Sequence, residues 1–346
     1  YGSVNYTYDA GMLKTDKLNQ FDVNVKNSTL STRINLNVNL NAGIQLLLNT
    51  SFNIDKNHGP YLSGYTSDYD VAQVYAMAFN ASPVDFAPTY PGDKDTSWPH
   101  LRFGNVPGGP NLGIINPYAM LHIGYKDRGR FSFTGRAEYI QNLSQLLKGL
   151  EIRASVSLSK EVYNVDNYNT SPFYYYLNPE TDYDFETGEH TLEVVSEGRR
   201  TLEKPVVNRG TANTSTQWVY EGRVLHTAAW GDHQTSLTAV LQAIQSSYSV
   251  SQSLFDGIEH RNLSFSMRGS YGFKDRYFVE GSFGYNGSER FTKNNRMGFF
   301  PAVGAAWGVT KENFMQGVSD WVSFLKIRGS WGKVGNDGII KTPRFV

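Results

Sequence analysis

The sequence has no cysteine among its 346 residues. That excludes a disulfide framework, a thiolate metal site and a cysteine nucleophile. It also has no net charge, since Lys plus Arg and Asp plus Glu each number 32. The overall basic field that nucleic-acid binding requires is therefore missing. No apolar run reaches the roughly 18 residues that a membrane-spanning helix needs, and amphipathic helical periodicity is scarce. A leader pattern is missing too. The chain opens at Tyr1-Gly2-Ser3 in strand-like sequence and stops at Arg344-Phe345-Val346 without an obvious closing element, so we read it as an internal piece of a longer protein.

What is abundant is aromatic: 22 Tyr and 20 Phe, in a chain whose mean hydropathy is only −0.43. Many large rings at low mean hydropathy suit strands with one greasy and one wet face, as in a membrane barrel. They also suit a sugar-binding β protein.

Alternation with period two dominates. Ile34, Leu36, Val38 and Leu40 alternate with Arg33, Asn35, Asn37 and Asn39. Beyond Ala42-Gly43, Ile44, Leu46, Leu48, Phe52 and Ile54 alternate with Gln45, Asn49, Ser51 and Asn53; Leu47 breaks the rule. Later, Leu263, Phe265, Met267, Tyr271 and Phe273 face away from Asn262, Ser264, Ser266, Arg268 and Ser270. Similar segments over 131–139, 150–158, 218–230, 235–243, 277–285, 299–309 and 325–331, with the opening segment, predict about eleven strands. Most run to about 10–15 residues, longer than the 5 or 6 usual in soluble sheets.

The connections sort by length. Short ones lie near Asn41-Ala42-Gly43, Leu147-Lys148-Gly149, Gly231-Asp232-His233 and Lys274-Asp275-Arg276, and a medium one over 311–323 has room for a helical turn. Between them fall long ones, at 55–128, 164–210, 249–260 and 286–296. A short helix is predicted over 70–80, inside the first. Short periplasmic turns and long extracellular loops are the layout of an outer-membrane barrel, and loops this long usually carry function.

The alternation has a physical reading in lipid. Every backbone donor and acceptor must pair within the protein there, so only helices and closed barrels span a bilayer. A charge on the lipid side at mid-depth costs about 2–4 kcal/mol. Arg33, Arg136, Arg153, Arg268, Glu280, Lys326 and Arg328 all fall on the polar row, which becomes the lumen side. Tyr139, Tyr163, Trp218, Trp230, Tyr271, Tyr277 and Trp331, near strand ends, suit aromatic girdles. A soluble antiparallel sheet with one solvated face carries the same alternation.

Particular words in the C-terminal third discriminate further. Arg261-Asn262-Leu263-Ser264-Phe265 through Tyr271-Gly272-Phe273-Lys274-Asp275-Arg276-Tyr277 resembles a strand–turn–strand signature of the SusC/RagA family of TonB-dependent transporters. Asn286-Gly287-Ser288-Glu289-Arg290-Phe291 is similar to that family's DGSSRF stretch. Gly298-Phe299-Phe300-Pro301-Ala302-Val303 with Trp307 is similar to its FPSVSLGW run, and 325–336 to its LKLRASYGxxGN strand. Leu147-Lys148-Gly149-Leu150, Ser82-Pro83 and Pro88-Thr89-Tyr90 match weaker patterns. The strong matches cover roughly 80 residues.

The resemblance implies an all-β, antiparallel, up-and-down transmembrane barrel of about 22 strands with a plugged lumen, of which this chain supplies about half. Neither the plug domain nor the C-terminal strands are expected within it. It further implies import of oligosaccharides or peptides across the outer membrane of a Gram-negative bacterium. The implied partners are a SusD-like surface lipoprotein, and TonB through a segment outside this chain.

Catalytic and metal motifs were sought as alternatives. The seven histidines form no H-E-x-x-H pair, no G-x-S-x-G elbow occurs, and Gly332-Lys333 lacks the P-loop context. No cofactor or enzymatic chemistry is expected. Asp182, Asp184 and Glu186 offer oxygen ligands of the kind calcium takes, but a solvated acidic loop is the favoured reading. Aromatic rings can stack on sugars, so the substrate-contact candidates are Tyr61, Tyr65, Tyr69, Tyr90 and Trp98 in the first long loop and Tyr174, Tyr175 and Tyr176, with Phe173 and Tyr183, in the second. The competing reading has these rings pack the loops onto each other or onto the partner. Two other readings of the whole chain are a soluble β-rich carbohydrate-binding protein and a glycoside hydrolase on a β scaffold.

Overall fold

The computed structural model describes residues 1–14, 21–61, 70–91, 100–108, 116–178, 180–198, 206–249, 259–289, 291–318 and 321–336. In chain order the elements begin with β1 (Gly2–Ala10), β2 (Lys26–Asn41), β3 (Ile44–Pro60), α1 (Asp70–Asn80), β4 (Thr89–Tyr90) and β5 (Arg102–Gly104). Then come α2 (Pro117–Met120), β6 (Gly124–Asn142), β7 (Leu150–Asn169), β8 (Tyr174–Tyr176) and β9 (Glu193–Ser196). The last are β10 (Val206–Trp230), β11 (His233–Ser249), β12 (His260–Phe273), β13 (Tyr277–Ser288), β14 (Met297–Gly308) and β15 (Lys326–Gly332).

Eleven strands form one antiparallel sheet in the order β1-β2-β3-β6-β7-β10-β11-β12-β13-β14-β15. Each main strand pairs with its neighbours in sequence, an up-and-down meander interrupted only by the two long connections. β3 runs to Pro60 and β6 starts at Gly124, so the first connection spans 61–123 rather than 55–128. β7 runs to Asn169 and β10 starts at Val206, which narrows the second to 170–205 rather than 164–210. The strands outrun the hydrophobic alternation because ladder pairing needs only backbone groups, and polar residues such as Asn57 and Asn167 sustain it beyond the greasy part.

Turn chemistry fixes the register at the short end. Gly149 has φ +82°, and a Cβ there would lie 1.8 Å from the Thr227 carbonyl oxygen of the adjacent strand. Only glycine lets the two backbones come this close. The three-residue turn Lys274-Asp275-Arg276 places Lys274 and Asp275 at φ +55° and +52°, and Arg276 N donates to Phe273 O at 3.0 Å.

Register divides the sheet into two faces, because directly paired residues point the same way. One row runs Leu36, Leu48, Ala137, Val156, Tyr220, Ala243, Leu263, Gly287, Met297. The next runs Val38, Leu46, Tyr139, Ala154, Gly222, Leu241, Phe265, Tyr285, Phe299. Toward the short turns, the rings of Trp230, His233, Phe273, Tyr277 and Trp307, with Ile327 beside the last, close the band. Phe283 bridges Phe265 and Phe299 at centroid distances of 5.8 and 5.6 Å. From Leu263 to Phe273 a strand rising about 3.3 Å per residue and tilted by about 40° covers about 25 Å, the height of an outer-membrane apolar band.

Apolar side chains of this face stay open instead of packing under a second layer: Leu36 is 52% exposed, Leu263 51% and Val303 57%. A soluble sandwich would bury such a row. A groove of about 570 Å³ on this face is lined almost entirely by carbon, from Leu36, Val38, Leu46, Leu48, Ala137 and Val156. No helix among the described residues is long and apolar enough to cross a membrane. One girdle assignment from sequence is corrected. Tyr163 pairs with Arg130 on the polar face, because β7 carries its alternation past the apolar band and the ring falls on odd parity.

Candidate functional site

The long connections are not loose. Two of them fold together over the long-loop end of the sheet into a cap with its own small core. β4, β5, β8 and β9 form a separate four-stranded sheet, with β5 and β8 joining the two connections in parallel. α1 forms where Ala72, Ala76 and Ala78 supply strong helix formers. It ends before Ser82-Pro83, where proline disfavours continuation, and lays Val74 against Met120 and Ile123. Phe103, fully buried, packs with Ala119 and Tyr174. Asn116 caps α2 and ties the cap: its Oδ1 accepts from Tyr118 N and Ala119 N at 3.0 and 3.3 Å. Its Nδ2 donates to Pro88 O and Gly104 O at 2.8 and 2.9 Å.

The loop aromatics divide accordingly. Tyr174 is 8% and Tyr175 2% exposed, so neither ring face is open to a ligand; the Tyr175 hydroxyl bonds His100 Nε2 at 2.6 Å. Tyr61 is half-buried against the Val74–Ile123 cluster, with the Lys126 ammonium 6.0 Å from its ring. Tyr90 and Tyr176 sit half-buried on the small sheet, paired with Arg102 and Glu193. Phe173 packs on His100 at 4.8 Å, and Tyr183 meets Phe185 edge-on at 4.9 Å. Tyr65, Tyr69 and Trp98 lie outside the described residues.

Burial pushes the Tyr174 hydroxyl up to about 12, since the phenolate would lose its hydration. The unfolded cap releases this proton near pH 10 and the folded cap holds it to about 12. The contribution is therefore complete below about pH 10 and is lost as pH rises toward 12. Alkaline titration of the full-length protein, followed by near-ultraviolet circular dichroism, should show the cap signal fading across that window. Tyr174→Phe should remove that part of the dependence.

The acidic stretch serves its own turn. Asp184 Oδ1 accepts from Glu186 N and Thr187 N at 2.8 and 3.2 Å, which holds its carboxyl below the usual carboxylate range. Asp182 Oδ2 accepts from Asn178 N at 3.2 Å. Among the described residues no group of three or more acidic or histidine side chains is arranged to hold a metal.

Arg33, Arg136, Arg153, Arg268, Glu280 and Arg328 share the other face of the sheet, as register requires. Sequence spacing could place them on one face but could not show that Arg136, Arg153, Arg268 and Glu280 are ion-paired. At mid-height, Glu138 and Glu221, each with a side chain 11% exposed, sit between rows of arginine. Arg136 reaches Glu138 at 3.2 Å and Glu221 at 3.9 Å. Arg153 reaches Glu151 at 2.6 Å and Glu138 at 3.8 Å. Arg223 reaches Glu221 at 2.8 Å, and Gln242 donates to the same carboxylate at 3.1 Å. Arg268 and Glu280 pair at 2.6 Å.

Two open clefts lie on this polar face toward the long-connection end of the strands. One, of about 340 Å³, is lined by Asn27, Thr29, Asp55, Asn57, Arg128, Arg130 and Tyr163. Asp55 accepts from the Thr29 hydroxyl at 2.8 Å and Arg130 meets Glu161 at 3.1 Å. The other, of about 520 Å³, is lined by Asn262, Ser264, Asn286, Ser288, Phe291, Arg296 and Phe300 among others. Amides, hydroxyls, guanidinium groups and a few rings suit a hydroxyl- or amide-rich ligand. Sequence reading missed these clefts and the cap, whose residues are brought together only across strands.

An up-and-down sheet with one lipid-type face, one charged face and its two longest connections capping one end defines the wall of a transmembrane β-barrel. No protein-family model matches the sequence. The chain is 33% identical over 92 residues to TonB-dependent receptor P39 of Formosa agariphila, a match covering 27% of this chain and 9% of that protein. It is 36% identical over 77 residues to TonB-dependent receptor SusC of Bacteroides thetaiotaomicron, covering 22% of this chain and 8% of the receptor. In fold, it superposes over its full length on a chain of the RagAB peptide importer in its closed-closed state, with TM-score 0.58 and 16% identity. A second RagAB peptide transporter structure covers 98% of this chain with TM-score 0.58 and 17% identity. The chain thus resembles the TonB-dependent receptors of the SusC/RagA type in sequence and the RagAB chain in fold, and it spans 35% of the length of that RagAB chain.

Proposed function

We propose that this chain is barrel wall of an outer-membrane, TonB-dependent importer of oligomeric nutrients, and that it performs no covalent chemistry. The observation that carries this is the two-faced register: an uncovered apolar band about 25 Å tall backs a charged and amide-rich face. The apolar face contacts lipid, the polar face lines the lumen, and the cap over 61–123 and 170–205 stands outside the cell. The relatives are receptors and transporters rather than enzymes, which supports the same reading. A SusD-like surface lipoprotein would close over the cap, and TonB would energise the full-length protein through a segment not in this chain.

Oligosaccharide is the first substrate reading, supported by the Asn, Asp, Arg and Tyr side chains of the cleft around Asp55 and Tyr163. Peptide is the second, favoured by the fold shared with the RagAB peptide importer. Tyr61, Tyr90, Phe173, Tyr176 and Tyr183 remain the described loop-aromatic candidates with a partly open ring. The test is calorimetric titration of the full-length protein, purified from outer membranes with its lipoprotein partner, against a panel of neutral oligosaccharides and of short peptides. One class is expected to bind in the micromolar range. Arg130→Ala combined with Tyr163→Ala should weaken it by about tenfold or more, the loss of about 1.4 kcal/mol. Binding of neither class, or hydrolysis of an oligosaccharide during the titration, would overturn the proposal.

A further inference from the structure

The connection between β14 and β15 is more than a turn. Val309–Lys311 and Asn313–Val318 form two short 3-10 segments, and the chain folds back on the end of the apolar face. Glu312 is the fastening. Its Oε1 accepts from the Tyr277 hydroxyl at 2.6 Å and from Trp307 Nε1 at 3.0 Å, and its Oε2 accepts from Arg276 at 3.3 Å. Tyr277 and Trp307 are paired residues of the apolar girdle, so Glu312 satisfies the polar tips of rings whose bodies point toward lipid. The Phe314 ring stands 6.4 Å from Trp307. At the far end Thr310 N donates to Leu325 O, and Leu325 N to Thr310 Oγ1, both at 3.3 Å.

A segment pinned at both ends still exposes its largest rings: Phe314 66%, Phe324 75% and Trp321 93%. Three open rings in one short connection are costly in water, because each carries about 150–250 Å² of surface that gains by leaving it. Phe314 adjoins the girdle at Trp307, Phe324 precedes the Leu325 that bonds Thr310, and an aromatic body with a polar tip is the chemistry that the membrane–water interface selects. Lys311, exposed beside Glu312, adds a cation of the kind that lies at headgroup level.

We propose that residues 309–318 and 321–325 form an interfacial plate, lying in the headgroup layer of the leaflet at the short-turn end, with Phe314, Trp321 and Phe324 inserted among the upper acyl chains. The occupant of this surface is phospholipid, and the inference rests on the apolar face being the lipid face. The plate fixes the depth of the barrel wall by giving it a foot parallel to the membrane, where β-hairpin turns alone would leave only a rim.

The test uses the full-length protein in nanodiscs, one set of ordinary phosphatidylcholine and one of phosphatidylcholine brominated along the acyl chains. Tryptophan emission of the parent is compared with Trp321→Phe and, as an internal control, Trp307→Phe; both changes keep an aromatic ring and should fold. The difference signal from Trp321 is expected to fall at least twofold in brominated lipid, as should that from Trp307. Phe314→Ser with Phe324→Ser should raise iodide quenching of Trp321 at least twofold. If Trp307 is quenched by brominated lipid and Trp321 is not, the plate is in water or against protein and the inference is overturned. If neither is quenched, the lipid-face reading itself fails.

Discussion

Met267→Arg is expected to lower the equilibrium for insertion of the full-length protein into bilayers by roughly 30- to 1000-fold. Met267 lies midway along the apolar band, between Ala239 and Phe283 on the adjacent strands. An arginine at the lipid midplane of a barrel costs about 2–4 kcal/mol, and each 1.36 kcal/mol is a factor of ten. The neighbouring residue supplies the contrast. Ser266 is exposed on the opposite face, paired with Val240 and Gly284. An arginine there enters a surface that already holds Arg153, Arg223 and Arg268 and should change insertion by less than about 1 kcal/mol. Urea titration of folding into phosphatidylcholine vesicles, read by heat-modifiable mobility on gels, measures both. Equal losses at the two positions would refute the assignment of faces.

Phe103→Ala should cost the cap about 3–5 kcal/mol, the usual loss for truncating a fully buried phenylalanine. Phe103 is 0% exposed and holds Tyr118, His122 and Tyr174 at centroid distances of 6.1, 5.2 and 6.5 Å. The cap is small, with few other buried side chains to share the loss, so a penalty of that size is a large part of its stability. The barrel wall does not use this core. Limited proteolysis of the variant should therefore cut within 61–123 and 170–205 while the strands keep their heat-modifiable mobility. Phe79→Ala is the control, since Phe79 is 89% exposed and its truncation opens no cavity. A Phe103 variant as protease-resistant as the parent would show that the two connections are held by something other than this core.

The cap and the wall differ in how much of them was legible beforehand. Leu263 to Phe273 and Tyr277 to Tyr285 announced themselves by strict alternation across a tight turn, and their pairing follows register by register. The polar-row residues Arg33, Arg136, Arg153, Arg268, Glu280 and Arg328 fell on one face for the same reason. Tyr163 was misassigned because the alternation of β7 weakens beyond Leu158, where Lys160 and Asn164 occupy the positions that apolar residues hold nearer the centre. Tyr174 and Tyr175 could not be told from binding aromatics by sequence, because a three-residue strand in a long loop carries no periodicity.

The sequence by itself determined which side of each strand meets oil and which meets water, since side-chain direction in a strand depends only on parity along the chain. It determined the number of wall strands and the sorting of short from long connections for the same local reason. Tertiary structure alone decided that two distant connections share a sheet and a core around Phe103, that Glu138 and Glu221 sit between arginines from three strands, and that Glu312 fastens a hairpin connection to Tyr277 and Trp307. The deciding contacts, Phe103 with Tyr174, Arg136 with Glu221 and Tyr277 with Glu312, join residues dozens of positions apart, and distance along the chain carries no record of which of them meet until the strands have paired.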